Sequence, residues 1–321
     1  MTKIVFVADL FAEQYVGGAE LTTEALIEAC PFESIKLNAK DVTIETLQKL
    51  QNCFWIFGNF SQLNMELIPS IVGNIKYNVL EYDYKFCKYR SIEKHKHETG
   101  QECDCHEQHL GKMVSAFYYS ASKVFWMSSE QEARYIDRFP FLEGKGRVLG
   151  SVFSKDDIQM LDFLKTENGT GPTLIQDSES WIKGTQDAIK FCTDSGLEYE
   201  KFSQLSRVAL LNKVANAGSF CFLPRGGDTC PRVVIEAKVL GCELHINGNV
   251  QMADEAWFSH GTPDSMLEHL KDLPNRFWNE TKRSMDITST VGAYTTTYNC
   301  VSQGYPFKEC IASLLSNFDE V

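Results

Sequence analysis

Nowhere in the 321 residues does an apolar run approach the roughly 20 residues that a membrane-spanning helix needs. Basic residues are in deficit, since 31 lysines and arginines stand against 43 aspartates and glutamates, a formal net charge of −12. That balance argues against a surface that is basic all over, as in a DNA-coating protein, although it allows a local basic patch. Internal repeats and low-complexity tracts are also absent from the sequence.

The chain has no start typical of a signal peptide, and this bears on its eleven cysteines. A secreted protein would use so many cysteines as a disulfide framework, whereas a reducing compartment keeps them as packed thiols. Several stand in apolar surroundings: Cys30, Cys53, Cys192, Cys221 and Cys242. We therefore expect reduced thiols in a cytoplasmic protein, with at most peripheral contact to a membrane.

Short apolar runs alternate with helical patterns along most of the chain. The runs predict strands at 4–8, 34–37, 53–57, 77–80, 124–127, 173–175, 220–223 and 243–246. Helical patterns lie between them, near 20–29, 43–51, 61–72, 112–121, 129–137, 181–192, 203–216 and 231–240. This alternation predicts an α/β fold with parallel sheets that helices cover on both faces.

A polar stretch from 154 to 171 interrupts the alternation and indicates a domain boundary. We expect one Rossmann-like domain over 1–155 and a second over 156–305, each large enough to bury its own core. An amphipathic pattern from 307 to 318 predicts a C-terminal helix within 306–321 that can return to the first domain. Two α/β units in series place a ligand cleft between them.

The segment Phe220–Leu244 has the pattern of a strand, a loop, a helix and a second strand. The pair Gly226–Gly227 allows a ligand to approach the backbone closely. Thr229 or Cys230 is expected to cap the helix, and Pro231 suits its first position because its missing N–H is not needed there. The free N–H groups of the first turn then form an anion site that faces the cleft.

Charged side chains flank this helix N-terminus. Arg225 and Arg232 carry guanidinium groups, which pair well with phosphate. Glu236 lies one turn further along, where a carboxylate can accept hydrogen bonds from ribose hydroxyls. The segment therefore predicts a binding site for a phosphate-bearing ligand with a ribose, with Thr229 among the residues that hold it. In the alternative interpretation the arginines pair with the chain's many acids, and Glu236 is a solvated helix residue.

These residues resemble the C-terminal signature of glycosyltransferase family 4, a Glu-x7-Glu pattern in the GT-B fold. Asp228 and Glu236 stand at that spacing, with Asp in place of the first Glu. The pair Gly17–Gly18 resembles the family's N-terminal glycine loop, and Lys183–Gly184 resembles its Lys-Gly turn. Residues 128–130 resemble the end of the fifth strand in the family's first domain. The likeness spans nearly the whole chain and extends to compact members of the family, phage-encoded ones included.

The resemblance implies two Rossmann-like domains that face each other across a cleft, and a retaining transfer from a UDP-, GDP- or ADP-sugar to a hydroxyl acceptor. It places Asp228 at the donor sugar, Glu236 at the ribose, Lys183 at the diphosphate, and Gly17 and Gly18 near the phosphates. In such a transfer the departing phosphate helps to take the acceptor proton, while cations stabilise the growing negative charge. The chemistry needs no metal cofactor.

Two departures from the family pattern concern the catalytic residues. Asp177 stands where the family usually carries an arginine, a charge that Arg225 or Arg232 can supply. Residues 81–84, Glu-Tyr-Asp-Tyr, replace a His-Asp motif, and Asp83 is our candidate for orienting the acceptor hydroxyl. Simpler interpretations stay open, with Asp228 as a turn residue and Lys183 as a surface lysine.

The stretch from 85 to 112 is a polar insertion that holds four of the seven histidines. Within it, Cys87, Cys103, Cys105 and His109 offer a tetrahedral ligand set for a structural zinc ion. The spacing matches no named zinc motif. The alternative is an insertion whose thiols are free.

The same insertion is locally basic, and aromatic residues lie among its cations. These cations are Lys85, Lys88, Arg90, Lys94 and Lys96. Cations interleaved with aromatic rings suit a phosphate-bearing acceptor, including single-stranded or flipped nucleic acid. A solvated charged helix is the alternative interpretation.

The leading hypothesis is therefore a glycosyltransferase whose acceptor is a glycan, a lipid, a small molecule or a modified base of phage DNA. A steep loss of binding with salt would separate DNA from the other acceptors. Two further classes stay open. A metal-dependent hydrolase centred on the insertion would need bound zinc and no sugar nucleotide, whereas a catalytically inactive protein would bind a nucleotide sugar or nucleic acid without transfer.

Overall fold

The computed structural model describes residues 3–165 and 169–286, so the helix predicted within 306–321 lies outside the described residues. The strands are β1 (Lys3–Ala8), β2 (Glu33–Asn38), β3 (Phe54–Phe57), β4 (Lys76–Glu81), β5 (Lys123–Trp126), β6 (Gly146–Val148), β7 (Gly171–Gln176), β8 (Tyr199–Phe202), β9 (Ala217–Phe222) and β10 (Glu243–Ile246). The α-helices are α1 (Gly18–Glu28), α2 (Ile44–Lys49), α3 (Ile68–Asn74), α4 (Ile92–Thr99), α5 (His109–Ser120), α6 (Ser129–Arg138), α7 (Lys155–Leu164), α8 (Thr185–Asp194), α9 (Arg207–Ala215), α10 (Arg232–Val239), α11 (Ala256–Ser259) and α12 (Pro263–Asp286). None of the described helices is both long and apolar enough to cross a membrane.

The first six strands form one parallel sheet in the order β2-β1-β3-β4-β5-β6. Its central strands are apolar runs buried on both faces, such as Phe54–Phe57, because helices cover both sides of the sheet. The five strands predicted in this half are all present. β6 was not predicted, since it is a three-residue edge strand in which Arg147 and Val148 are exposed and no apolar run marks it.

The other four strands form a second parallel sheet in the order β10-β9-β7-β8. β8 was missed at the sequence level because three of its four residues are exposed and the strand reads Tyr-Glu-Lys-Phe. Parallel pairing throughout both sheets confirms the α/β class that the alternation predicted.

One long helix joins the two halves. α12 packs on α7 and α10 beside the second sheet, and on α1 and β4 of the first half. Trp278 Nε1 donates a hydrogen bond to the Leu26 carbonyl oxygen at 3.0 Å. The Phe277 ring lies 4.6 Å from that of Phe125, centroid to centroid. The chain therefore already returns to the first domain through α12, which precedes in sequence the helix predicted within 306–321.

Apolar side chains of both sheets belong to one buried cluster. It includes Ile4 and Phe6 of β1, Leu174 of β7 and Phe220 of β9. The expected break after residue 155 coincides with the start of α7, which packs on α9 and α12. The exact domain limits remain a prediction.

Candidate functional site

The candidate site lies where the loop after β9 enters α10. Pro231 is the N-cap of this helix and no side chain caps it, so the cap expected from Thr229 or Cys230 does not form. Thr229 Oγ1 instead donates a hydrogen bond to the Tyr82 carbonyl oxygen at 2.7 Å. Tyr82 directly follows β4, so the loop before α10 faces the carboxyl end of the first sheet.

The first turn of α10 is enclosed. Cys230, Pro231 and Arg232 are buried, and the Ser151 hydroxyl donates to the Cys230 carbonyl oxygen at 2.8 Å. A diphosphate can reach the amide groups of this turn only if the two halves separate locally.

The glycine loop of the first domain lies against the same helix. Gly17 is the N-cap of α1, and Gly18 is the first residue of that helix. A Cβ atom added to Gly18 would stand 3.7 Å from Arg232 Cδ. The structure thus brings together the two segments predicted to hold the donor phosphates, although they lie more than 200 residues apart in sequence.

Gly226 and Gly227 pack against the insertion that follows β4. A Cβ atom on Gly226 would stand 2.9 Å from Ser91 Oγ, and one on Gly227 would stand 2.4 Å from Gln251 Nε2. The Gly227 N–H donates to Glu93 Oε2 at 3.2 Å. In this conformation the side chains of Ser91 and Gln251 fill the space beside the two glycines, where the sequence predicted a ligand.

Lys183 and Asp228, two of the predicted catalytic residues, form an ion pair of 2.7 Å. The lysine belongs to a tight turn that ends at Gly184, where φ is +62° and a Cβ atom would stand 1.9 Å from the Leu223 carbonyl oxygen. Only glycine fits that position. The turn therefore holds the lysine beside the loop that carries Asp228, and Asp228 itself bonds through its N–H to the Asn249 carbonyl oxygen at 2.8 Å.

A buried network of charges lies behind the N-terminus of α10. The Arg232 guanidinium pairs with Asp157 at 2.8 Å and stacks 3.8 Å above the Phe153 ring centroid. Arg207 Nη1 lies 2.7 Å from Glu236 Oε1, and Glu236 is 1% exposed. Burial opposes ionisation of Asp157, but Arg207 and Arg232 together hold the pKa of its carboxyl below the usual value.

This network occupies two of the predicted donor-binding residues. Arg232 has to exchange Asp157 for phosphate before it can bind a donor, and Glu236 has to exchange Arg207 for ribose hydroxyls. Glu236 is not the solvated helix residue of the alternative interpretation, whereas Arg232 does pair with an acid, as that interpretation held. Their donor roles remain predictions.

Arg225 lies on the surface and contacts Asp187 on α8, with Nη2 and Oδ1 3.2 Å apart. Asp177, where the family usually has an arginine, pairs with Lys201 at 2.9 Å. In this conformation Arg225 is therefore engaged on the surface and does not supply the missing charge beside Lys183.

Asp83 belongs to a second cluster of charges at the end of β4. Its carboxylate pairs with Arg90 and lies 3.6 Å from Lys85 Nζ. Burial opposes its ionisation, but Lys85 and Arg90 hold the pKa of Asp83 below the usual value. Glu81 is fully buried 2.8 Å from Lys85, and desolvation raises its pKa although Lys85 acts in the opposite direction. An acceptor hydroxyl would have to compete with two cations for Asp83.

Sequence reasoning missed a set of residues that connect the two halves. Glu93 accepts from Gly227 and pairs with Arg134 at 2.6 Å. The Tyr84 hydroxyl lies 2.8 Å from the Gln251 amide. No local pattern could reveal these contacts, because their members come from α4, α6 and the loops after β4, β9 and β10.

The His/Cys insertion gathers four buried ligand atoms. Cys87, His95, Cys103 and Cys105 each offer one such atom, all within 4.8 Å of one another. The histidine of this cluster is His95 and not the predicted His109. His109 is exposed and is the first residue of α5. The cysteines in the described ranges are free, and those expected in the interior are buried except Cys30 and Cys53, which are half-buried.

The basic and aromatic surface predicted for the same insertion forms only in part, with Lys88 and Lys96 exposed. Lys85 is buried beneath Glu81, and Tyr84 and Phe86 belong to the core. Arg90 is held by Asp83 and by Asn59, whose Oδ1 accepts from Nη2 at 2.8 Å. These residues therefore offer no open stacking platform for a nucleic acid.

No protein-family model and no curated protein matches the sequence. Among solved structures, the chain aligns with one named "Trehalose-6-phosphate from E. coli bound with UDP-2-fluoro glucose", at a TM-score of 0.50 and 9% identity, over 100% of this chain and 99% of that one. It also aligns with Anabaena HepE in complex with UDP-glucose, at a TM-score of 0.48 and 12% identity, over 100% of both chains. Together with the two parallel sheets, the likeness to the E. coli structure shows the GT-B fold, two Rossmann-like domains that face each other across a cleft.

Proposed function

We propose that this protein transfers a sugar from a nucleoside diphosphate sugar to a hydroxyl acceptor. One observation carries the proposal. The glycine loop at Gly18 lies against Arg232 at the start of α10, and the loop that leads into this helix carries Asp228, paired with Lys183. Through Thr229 the same loop contacts Tyr82 at the carboxyl end of the first sheet. In open α/β folds this is where ligands bind.

The charges at this place suit a diphosphate. The amide end of α10 carries positive dipole, and Lys183 adds a full charge that is one-third exposed. Asp228 pairs with that charge at 2.7 Å. The diphosphate of a bound donor can replace Asp228 as the partner of Lys183. The Asp228 carboxylate is then free to accept hydrogen bonds from sugar hydroxyls.

The transfer itself is proposed to retain configuration. The bond between the sugar's anomeric carbon and the diphosphate oxygen breaks, and the acceptor oxygen bonds to the same face of that carbon. The acceptor proton passes to the departing phosphate, while Lys183 stabilises the negative charge that grows there. Asp83 is the residue proposed to orient the acceptor hydroxyl from the first domain. The chemistry needs no metal ion.

The proposed division of labour follows the two domains, with the acceptor held by 1–155 and the donor by 156–305. The acceptor is a glycan, a lipid, a small molecule or a modified DNA base, and the proposed compartment is the cytoplasm. Since Lys85 and Arg90 are paired with acids and the rings of Tyr84 and Phe86 are buried, these residues favour the first three acceptors over DNA.

Donor binding tests the proposal on the full chain. UDP-, GDP- and ADP-sugars are compared by thermal shift, starting with UDP-glucose because the E. coli neighbour is bound with a UDP-sugar analogue. A donor at a hundredfold excess over its Kd stabilises the folded state by about 2.7 kcal/mol. We expect one nucleotide to shift the melting temperature and the others to shift it less.

A matched pair of lysine variants assigns the shift to the site. Lys183→Ala removes a charge-assisted contact and should weaken donor binding about tenfold or more. Lys190→Ala removes a lysine that is also paired with an aspartate, but on the exposed face of α8, and should leave binding unchanged. Absence of any nucleotide shift, or equal effects of the two variants, would refute the proposed site.

Turnover separates a transferase from an inactive binder. An active enzyme releases free nucleoside diphosphate from the donor slowly with water and faster with an acceptor. Binding without any release of nucleotide, even with acceptor mixtures, would favour the inactive binder and overturn the transferase proposal.

A further inference from the structure

The insertion between β4 and α5 brings four metal-binding side chains to one buried point. Cys105 Sγ lies 3.2 Å from His95 Nδ1, and Cys87 Sγ lies 3.7 Å from the same nitrogen. Cys103 completes the group, and the ligand atoms are all within 4.8 Å of one another. We propose that these four residues bind a structural zinc ion.

The spacing is that of a tetrahedral zinc site. Zn–S bonds of about 2.3 Å and Zn–N bonds of about 2.0–2.1 Å place ligand atoms roughly 3.5–3.8 Å apart on the edges of a tetrahedron. The Cys105–His95 and Cys87–His95 separations of 3.2 and 3.7 Å lie close to those values, and the other ligand atoms lie within 4.8 Å of one another. Three thiolates and one imidazole form a Cys₃His set, which is among the ligand sets of structural zinc sites.

The local sequence builds the site with few residues. Cys87 comes just before a turn in which Arg90 adopts a left-handed conformation, with φ at +55°. α4 then carries His95, and Gly100, with φ at +71°, ends that helix and reverses the chain toward Cys103. Four side chains separated by as many as 18 positions are thereby brought to one point.

α5 closes over the site at a position that requires glycine. A Cβ atom on Gly111 would stand 2.2 Å from the Cys105 carbonyl oxygen. The helix backbone therefore packs directly on the loop that holds Cys103 and Cys105. All four ligands are buried, so no coordination position is left open to water or substrate, as expected for a structural and not a catalytic zinc.

The zinc would hold α4 in contact with the second domain. From the same short helix that carries His95, Glu93 accepts the Gly227 N–H at 3.2 Å. The His97 ring stacks on Trp181 with centroids 4.7 Å apart. Trp181 begins the turn that ends at Lys183. The metal would therefore fix the helix that borders both Gly226–Gly227 and the lysine turn.

Metal content tests this inference without reference to transferase activity. The full chain is purified without added metal or chelator and analysed by elemental mass spectrometry. We expect about one zinc per chain, and much less in His95→Asn and in Cys105→Ser. The matched controls His109→Asn and Cys30→Ser change residues of the same types outside the cluster and should keep the zinc.

A second measurement avoids dependence on variants that fold poorly. Cobalt exchanged into the wild-type chain should give the intense visible bands of a tetrahedral site and the near-ultraviolet charge transfer of thiolate ligands. A wild-type chain without bound metal, an octahedral cobalt spectrum, or a disulfide among Cys87, Cys103 and Cys105 would each overturn the zinc site. Loss of zinc in His109→Asn alone would overturn His95 as the fourth ligand.

Hydrogen exchange tests the role of the site in the docking of α4. Removal of zinc should speed exchange in residues 85–108 and also at the Gly227 N–H, which bonds to Glu93. Unchanged protection at Gly227 would refute the docking role while leaving the metal site intact. A zinc-loaded chain that binds no nucleotide would refute the proposed function and not this inference.

Discussion

Arg232 combines a structural contact with a position at the candidate site. Its guanidinium is buried, paired with Asp157 and stacked on Phe153, which stabilises the start of α10. Its aliphatic part faces Gly18 across the domain boundary. Arg232 belongs to one domain and contacts the glycine loop of the other. A phosphate bound beside this side chain would therefore contact both domains.

Gly18→Ala should separate stability from binding. The added methyl group would make ordinary van der Waals contact with Arg232, at 3.7 Å from Cδ. Because alanine favours helix over glycine, we expect the free energy of unfolding to hold or to rise by about 0.5 kcal/mol. Affinity for the nucleotide sugar should fall, since the methyl group fills the space between the glycine loop and the arginine. Denaturant unfolding and calorimetric titration measure the two effects.

Gly73→Ala is the matched control for this variant. Gly73 also lies in a helix, α3, and nothing stands within 4 Å of its added Cβ atom. It should gain stability by a similar amount and bind the donor like the wild type. Equal donor affinity in both alanine variants would contradict a donor role for the glycine loop.

His269 should make stability depend on pH. Its ring stacks on Trp257 with centroids 4.5 Å apart, and burial lowers its pKa from 6.5 to about 4. As the pH falls below 6.5, His269 becomes protonated in the unfolded chain, whereas in the folded chain it stays neutral until about pH 4. The contribution of this residue to stability is therefore complete above pH 6.5 and falls as the pH drops toward 4.

His269→Gln should reduce that loss. Unfolding free energies measured in denaturant at pH 7 and pH 5 should differ less in this variant than in the wild type. His260→Gln, an exposed histidine in the same region, serves as the control. The same pH dependence in all three proteins would show that burial does not hold His269 neutral.

At the scale of elements, α12 and α10 stabilise the fold in different ways. α12 has an apolar stripe that contacts both halves. α10 instead buries Arg232 and Glu236, which are stable in the interior only because Asp157 and Arg207 neutralise them. An element that depends on ion pairs can exchange partners with a charged ligand, whereas an apolar helix cannot.

Trp278→Ala should destabilise the protein by about 3–5 kcal/mol. The indole contacts the rings of Phe6, Phe32 and Phe277, and its N–H bonds to Leu26. Arg276→Ala, on the exposed face of the same helix, should stay within about 0.5 kcal/mol of the wild type. Denaturant unfolding measures both variants. A loss below about 1 kcal/mol for Trp278→Ala would show that α12 does not hold the halves together.

At the scale of the molecule, the two domains share one buried core. The same cluster includes side chains of β1 and β9, and α12 packs on both halves. Multidomain proteins often unfold in steps, but a shared core couples the steps. At the candidate site the halves also meet through hydrogen bonds and close glycine contacts.

We therefore expect one cooperative thermal transition for the full chain. Scanning calorimetry should give a calorimetric enthalpy close to the van't Hoff enthalpy, and fluorescence and circular dichroism should report the same midpoint. Two resolved transitions would contradict a shared core. A donor should raise the single midpoint, because the proposed donor site has residues of both domains.

Some parts of this structure can be read from neighbouring residues alone. The apolar runs at 4–8 and 53–57 predict buried strands because only apolar side chains can fill both faces of a parallel sheet. Pro231 and Gly184 mark a helix start and a left-handed turn through their own backbone limits. β6 and β8 were not predicted because short or exposed edge strands have no such apolar run.

The candidate site divides in the same way. The resemblance to a known signature singled out Lys183 and Asp228, and the structure places them in contact. It did not indicate that Glu236 would be buried beside Arg207, since that pairing depends on how α9 and α10 pack.

By itself, the sequence determined the residue types: a helix start suited to anions, a lysine turn, and an insertion rich in thiols and imidazoles. Only the tertiary structure decided which of them meet. It selected His95 over His109, enclosed the first turn of α10, and returned the chain through α12. The physical reason is that propensity and charge act over a few neighbouring residues, whereas burial and ion pairing depend on segments that meet only after folding.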